Sequence, residues 1–203
     1  MRDRDVRESV WRWLEVTHHG DPNALMLDEL GILNGATRVD IAVINGQIEG
    51  YELKSERDTL ERLPAQRELY NKVIDRISLV VAENHRKAAD EIIPEWWGLA
   101  VASSRGGVVE VTWERPPEMN PELNAAMLAS LLWRDEALAV LERYGVTRGV
   151  RSKPREVLYE RIAVALDLDM VRAEVRTALK VRAVREGWRA DRRSQQRGGS
   201  HQS

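Results

Sequence analysis

The sequence predicts an α/β fold: a mixed sheet with helices on its faces, followed by an all-helical C-terminal region. Two observations carry this. Residues 38–54 alternate apolar and polar side chains around Asn45-Gly46, and the later β-branched runs at 77–82, 97–103 and 108–113 are interleaved with helical patterns. Beyond Pro116-Pro117 no strand pattern recurs, and apolar residues repeat at three and four.

The first element is a helix over 3–16, because Val6, Val10, Trp13 and Leu14 recur at helical spacing among charged neighbours. His18-His19-Gly20-Asp21-Pro22-Asn23 ends it as a loop. Leu25 to Leu33, containing Asp28-Glu29-Leu30-Gly31, is consistent with either a short helix or an extended segment.

The hairpin that follows is the clearest local signal, and burial decides its register. A two-residue Asn45-Gly46 loop sets Asp40 opposite Tyr51 and Val39 opposite Glu52, mixing charge into both faces. A shift by one, through a three-residue loop or a bulge, separates the faces. Val39, Ile41, Val43, Tyr51 and Leu53 then share one, and Asp40, Glu52 and Lys54 share the other. The second register is expected.

Residues 63–74 form a helix with Pro64 in its first turn, where a missing N–H does no harm. Strand 77–82, helix 84–92 and strands 97–103 and 108–113 complete the sheet region. In the C-terminal region Asn120-Pro121 opens a helix whose stripe, Met127, Leu131, Leu138 and Leu141, ends at Gly145. A second helix begins near Ser152-Lys153-Pro154, and a third follows Asp167-Leu168-Asp169 with Val171, Val175 and Leu179 inward. The division expected is a core at 1–118, a basic helical region at 119–193 and a disordered tail at 194–203.

The 203 residues contain no cysteine, which excludes disulfides, thiolate metal sites and cysteine nucleophiles. His18, His19, His85 and His201 lack metal-ligand spacing. A charged N-terminus and no long apolar run point to a cytoplasmic protein without a membrane partner. Net charge of −2 conceals a division: residues 1–118 carry 15 Lys+Arg against 22 Asp+Glu, residues 119–203 carry 16 against 11. An acidic half beside a basic half suits a carboxylate site next to a surface that holds a polyanion. Trp96, Trp97, Trp113 and Trp133 are read as core or packing residues.

Asp40, Glu52 and Lys54 on one strand face must be solvated, paired or metal-bound. Two carboxylates at adjacent positions suit Mg²⁺, with Mn²⁺ as a substitute, and Lys54 beside them suits a metal-bound water or a phosphate. Asp40, eleven intervening residues, then Glu52-Leu53-Lys54 resembles the D…ExK signature of the PD-(D/E)XK nuclease superfamily, the restriction-endonuclease-like fold. Gln66 and Tyr70, one helical turn apart, resemble its QxxxY element, and the stretch from Glu29 to Trp97-Gly98 resembles a set of small bacterial proteins placed there. Val39 stands where the signature has proline.

The resemblance implies Mg²⁺-dependent hydrolysis of DNA, of a repair, restriction or mobile-element type. It implies metal held by Asp40, Glu52, the Leu53 carbonyl and an upstream acid, Glu29. Lys54 would place the water, and Gln66 and Tyr70 would brace the ligands or contact phosphate. The competing readings are a catalytically silent DNA-binding module and a protein-interaction domain in which Asp40, Glu52 and Lys54 form an internal ion-pair network.

Nucleic-acid contact is expected from Arg172, Arg176, Lys180, Arg182, Arg185 and Arg189, which form stripes at helical spacing. The partners expected are DNA, a second copy of the chain and a protein that targets the nuclease. The helices between Ser152 and Arg182 have the outline of a helix-turn-helix, but no glycine marks the turn and no polar recognition cluster is present.

Overall fold

The computed structural model describes residues 1–33 and 35–185. Six strands, β1 (Leu25–Ile32), β2 (Thr37–Ile44), β3 (Ile48–Lys54), β4 (Arg76–Ala82), β5 (Gly98–Arg105) and β6 (Val108–Arg115), form one sheet in sequence order. The β1, β2 and β3 pairings are antiparallel, β3, β4 and β5 run parallel, and β6 returns antiparallel to β5. The α/β class and the mixed sheet are as expected, and the undecided segment after residue 24 is a strand.

One helix, α1 (Asp3–Thr17), covers one face of the sheet. Its Val6, Val10, Trp11 and Leu14 pack on Ile41, Val43, Tyr51, Leu53, Val80, Ala100 and Ala102. Trp11 takes the inward place expected of Trp13, and its indole N–H donates to Asp28 Oδ1 at 2.8 Å. The other face carries α2 (Leu63–Tyr70), α3 (Arg86–Ile92) after a 3₁₀ turn, and the C-terminal helices. The larger core runs without a break from Leu27, Ile44 and Leu79 to Leu158, Val175 and Leu179, so sheet and helical region share it.

The hairpin has the expected register, with Ile41 opposite Tyr51 and Ile44 opposite Ile48 across a three-residue loop. One part of the expected face is corrected. Val39 belongs to the larger core with Ala42 and Ile44, whereas Ile41 and Val43 face α1. Both strands turn over at this level: Leu25 and Leu27, then Leu30 and Ile32, face the larger core, with Glu29 between them at φ 54°. A residue in the left-handed region breaks the two-residue alternation. The β2–β3 ladder ends at Ile41, and Asp40 lies at that break.

The first C-terminal helix is also corrected. Two helices, α4 (Ala125–Ala129) and α5 (Arg134–Arg143), replace it. Asn124 caps α4 by accepting the Met127 N–H at 2.9 Å, while Asn120 donates to the Asn71 and Ile74 carbonyls instead. α6 (Arg155–Ala165) and α7 (Leu168–Arg185) begin where expected, and Asp167 accepts the Met170 N–H at 2.8 Å. The tail expected at 194–203 lies outside the described residues. No described helix is long and apolar enough to cross a membrane.

Candidate functional site

The larger-core face of β3 presents Glu52 and Lys54 to α2. Glu52, 2% exposed, accepts at Oε1 from Lys54 Nζ and Gln66 Nε2, both at 2.7 Å, and at Oε2 from the Tyr70 hydroxyl at 2.8 Å. Gln66 Oε1 also accepts from Lys54 Nζ at 3.2 Å. The helical spacing of Gln66 and Tyr70 thus aims both at one carboxylate. Burial raises the pKa of Glu52, the nearby Asp40 carboxylate raises it further, and Lys54 and Tyr70 oppose this in part. Burial and Glu52 likewise push the Tyr70 hydroxyl well above the ordinary tyrosine range.

Asp40 stands beside this group but is held from the α1 side. Its Oδ1 accepts from Arg7 Nη2 at 2.8 Å, and its Oδ2 accepts the Leu53 backbone N–H at 2.9 Å. Arg7 also donates to the Asp40 carbonyl at 2.9 Å. All four carboxylate oxygens of Asp40 and Glu52 therefore accept donors from the chain itself. Arg7 and Lys54 each hold one oxygen of this pair, so a cation there would share the two carboxylates with two positive charges of the chain itself. Leu53 enters through its N–H, and Glu29 pairs with Arg38 at 3.0 Å on the surface. No group of three or more His, Asp or Glu among the described residues is placed to hold a metal ion. Arg7 had no signal in the sequence, since its partner is 33 residues away in another layer.

The stripes expected on α7 are divided between interior and surface. Arg172 donates to buried Asp75 at 2.7 Å and to Asp169 at 3.0 Å. Arg182, 6% exposed, holds the Leu131 carbonyl at 2.9 Å and the Glu136 carboxylate. Neither guanidinium lies free on the face as expected. Arg176 and Lys180 are half-buried, Arg185 is exposed, and Arg189 lies outside the described residues.

Arg182 and Arg185 both approach the Trp133 ring, with guanidinium carbons 4.3 and 5.1 Å from its centroid. Trp96 and Trp97 are buried as expected, but Trp133 is 44% exposed. The signal was available: Glu136, three residues on, accepts the Trp133 N–H at 2.7 Å, which marks Trp133 as the residue before a helix and not within one.

The family model described as bacteriophage P4 protein cII matches residues 1–197. Protein cII of Enterobacteria phage P4 is 24% identical over 182 residues, covering 90% of this chain and 68% of that protein. No solved structure matches significantly. These findings overturn the resemblance to the PD-(D/E)XK superfamily, and with it the reading as a nuclease or other hydrolase that rested on D…ExK and QxxxY. The match runs through both the sheet and the helices: the chain belongs to the bacteriophage P4 protein cII family.

Proposed function

We propose that this protein binds DNA without cutting it, the sheet serving as a scaffold and the helical region as the contact surface. The observation that carries this is the charge division, 16 Lys+Arg against 11 Asp+Glu after residue 118 and the reverse excess before it. Cations on such a surface neutralise phosphates and release counterions, which is the sequence-independent part of DNA affinity. The Asp40, Glu52 and Lys54 cluster is then a structural network joining α1, β2, β3 and α2. The strand layout supports a restriction-endonuclease-like arrangement used as that scaffold, and such a protein would work in the cytoplasm.

Fluorescence anisotropy with labelled duplex and single-stranded DNA over a range of salt tests the reading. Binding is expected to weaken steeply with salt and to leave the DNA intact. Absence of binding to either form at low salt would end it. A second reading, contact with protein, is favoured by Val157 and Val164 on α6 and Val181 and Val184 on α7, exposed by 40, 83, 61 and 71%. Light scattering tests one form of it: a monomer at all concentrations removes self-association through these valines.

A further inference from the structure

We infer that Trp133 and the cations around it form a contact site for single-stranded nucleic acid, with a base stacked on the indole and phosphates on the basic rim. This rests on the DNA-binding reading and names the part of the surface and the form of DNA.

The indole is exposed, yet the backbone that carries it is fixed from three directions. Arg182 of α7 holds the Leu131 carbonyl, the Tyr159 hydroxyl of α6 donates to the Leu132 carbonyl at 2.9 Å, and Arg134 reaches the Arg151 carbonyl at 2.7 Å. A large apolar ring in water gains nothing by exposure, so a rigid mount for it is informative. Arg182 and Arg185 both approach from α7, and Trp133 remains 44% exposed beside them.

Arg134, the next residue after Trp133, brings the start of α5 against the loop that carries Arg148, Arg151 and Lys153. Arg134 is 44% exposed at its side chain and touches the loop that carries Arg151, 67% exposed, and Lys153. Arg148 precedes them in the same loop, and Arg185 adds a cation from α7. Arg182 is matched by Glu136 and Arg151 by Glu142, Asp135 lies 3.9 Å from Arg134 with its side chain in solvent, and among the described residues Arg148 and Lys153 make no ion pair, so they carry the surplus charge. An aromatic face within a rim of cations is complementary to a base and its flanking phosphates, whatever the sequence. In a duplex the base faces are stacked on one another and closed to the indole, so the surface favours a single strand.

The test compares full-length wild type, Trp133→Ala, Trp133→Phe and Lys153→Gln by anisotropy on a labelled oligothymidine of about 20 nucleotides and on a duplex of equal length. Trp133→Ala is expected to weaken single-strand binding between about fivefold and a hundredfold and to leave duplex binding within about twofold. Trp133→Phe should retain most of the affinity, which separates loss of stacking from loss of fold, and circular dichroism melts check each variant. Lys153→Gln should weaken both substrates and lower the salt dependence. Unchanged single-strand binding by Trp133→Ala, or an equal loss on both substrates, overturns the site while DNA binding stands. No binding by wild type to either DNA overturns both.

Discussion

Glu52 is the residue on which the sheet and α2 converge, and its environment predicts a pH effect. Its folded pKa lies above the unfolded value because burial and Asp40 disfavour the charged form. A carboxyl of this kind contributes most where it is protonated, and that contribution is lost as pH rises from the ordinary glutamate value through the raised one. Lys54 is the cation that makes the charge tolerable at higher pH. Lys54→Met is therefore expected to cost about 3 kcal/mol at pH 8 and less at pH 5, as breaking a buried pair leaves one charge unpaired. Urea unfolding at the two pH values checks this; an equal loss at both would show that Glu52 is not the group relieved. Tyr70→Phe removes one donor to the same carboxylate and should cost about 1 to 2 kcal/mol. Strand alternation set Glu52 beside Lys54 and helical spacing set Gln66 beside Tyr70, because both are local rules; only the resemblance to a nuclease signature, since overturned, joined the two pairs. Arg7 was hidden because nothing local ties α1 to Asp40.

The elements show where local rules stop. The hairpin register followed from a choice between two pairings, and only one kept charge off an apolar face. The turn-over of β1 and β2 at Glu29 and Asp40 was not legible, since the shift of phase between Leu27 and Leu30 left β1 undecided between helix and strand, and Arg38 to Val43 taken alone reads as regular alternation. The break between α4 and α5 was missed for a related reason. Leu131 and Leu132 continue an apolar pattern, yet their carbonyls are taken by Arg182 and Tyr159 from two other helices. Close approach also explains two glycines in the strands. A Cβ on Gly50 would lie 2.9 Å from Ile74 Cδ1 and 3.2 Å from Val39 Cγ2, both side-chain atoms that can shift. On Gly98 it would lie 2.7 Å from Ser78 Oγ, 2.9 Å from Pro117 Cδ and 3.0 Å from the Pro117 nitrogen, which is backbone. Both alanine variants are expected to be destabilised within the range of about 1 to 3 kcal/mol typical of overpacking, with Gly98→Ala the worse. Thermal unfolding of the two variants checks the order, and the reverse order would mean that the Pro117 segment yields more easily than the core under Gly50.

At the scale of the whole molecule, the charge division suggests two parts, but the packing joins them. Asp75, 1% exposed, follows the turn after α2 and accepts the Ile48 N–H at 2.7 Å. Its other oxygen accepts from Arg172 of α7, and its carbonyl accepts the Asn120 N–H at 2.8 Å. One buried residue therefore ties β3 and the last described helix through its carboxylate and the entry to the C-terminal region through its carbonyl. Arg172 was expected to meet DNA phosphates; in the structure its charge is spent on Asp75. Truncating it should act on stability, not on the salt dependence of DNA binding. Arg172→Met leaves Asp75 buried without a counter-charge and is expected to cost about 3 to 5 kcal/mol. Asp75→Asn together with Arg172→Met should cost less than the sum of the single changes, because the uncompensated charge is gone. The shared core further predicts that wild type unfolds in one step, with tryptophan fluorescence and helical circular dichroism changing at the same denaturant concentration. If the Arg172→Met helices melt before the sheet, Asp75 is the main tie between the two parts. If they still melt together at a lower midpoint, the continuous apolar core from Leu79 to Leu179 holds them, and the ion pair fixes only the seating of α7.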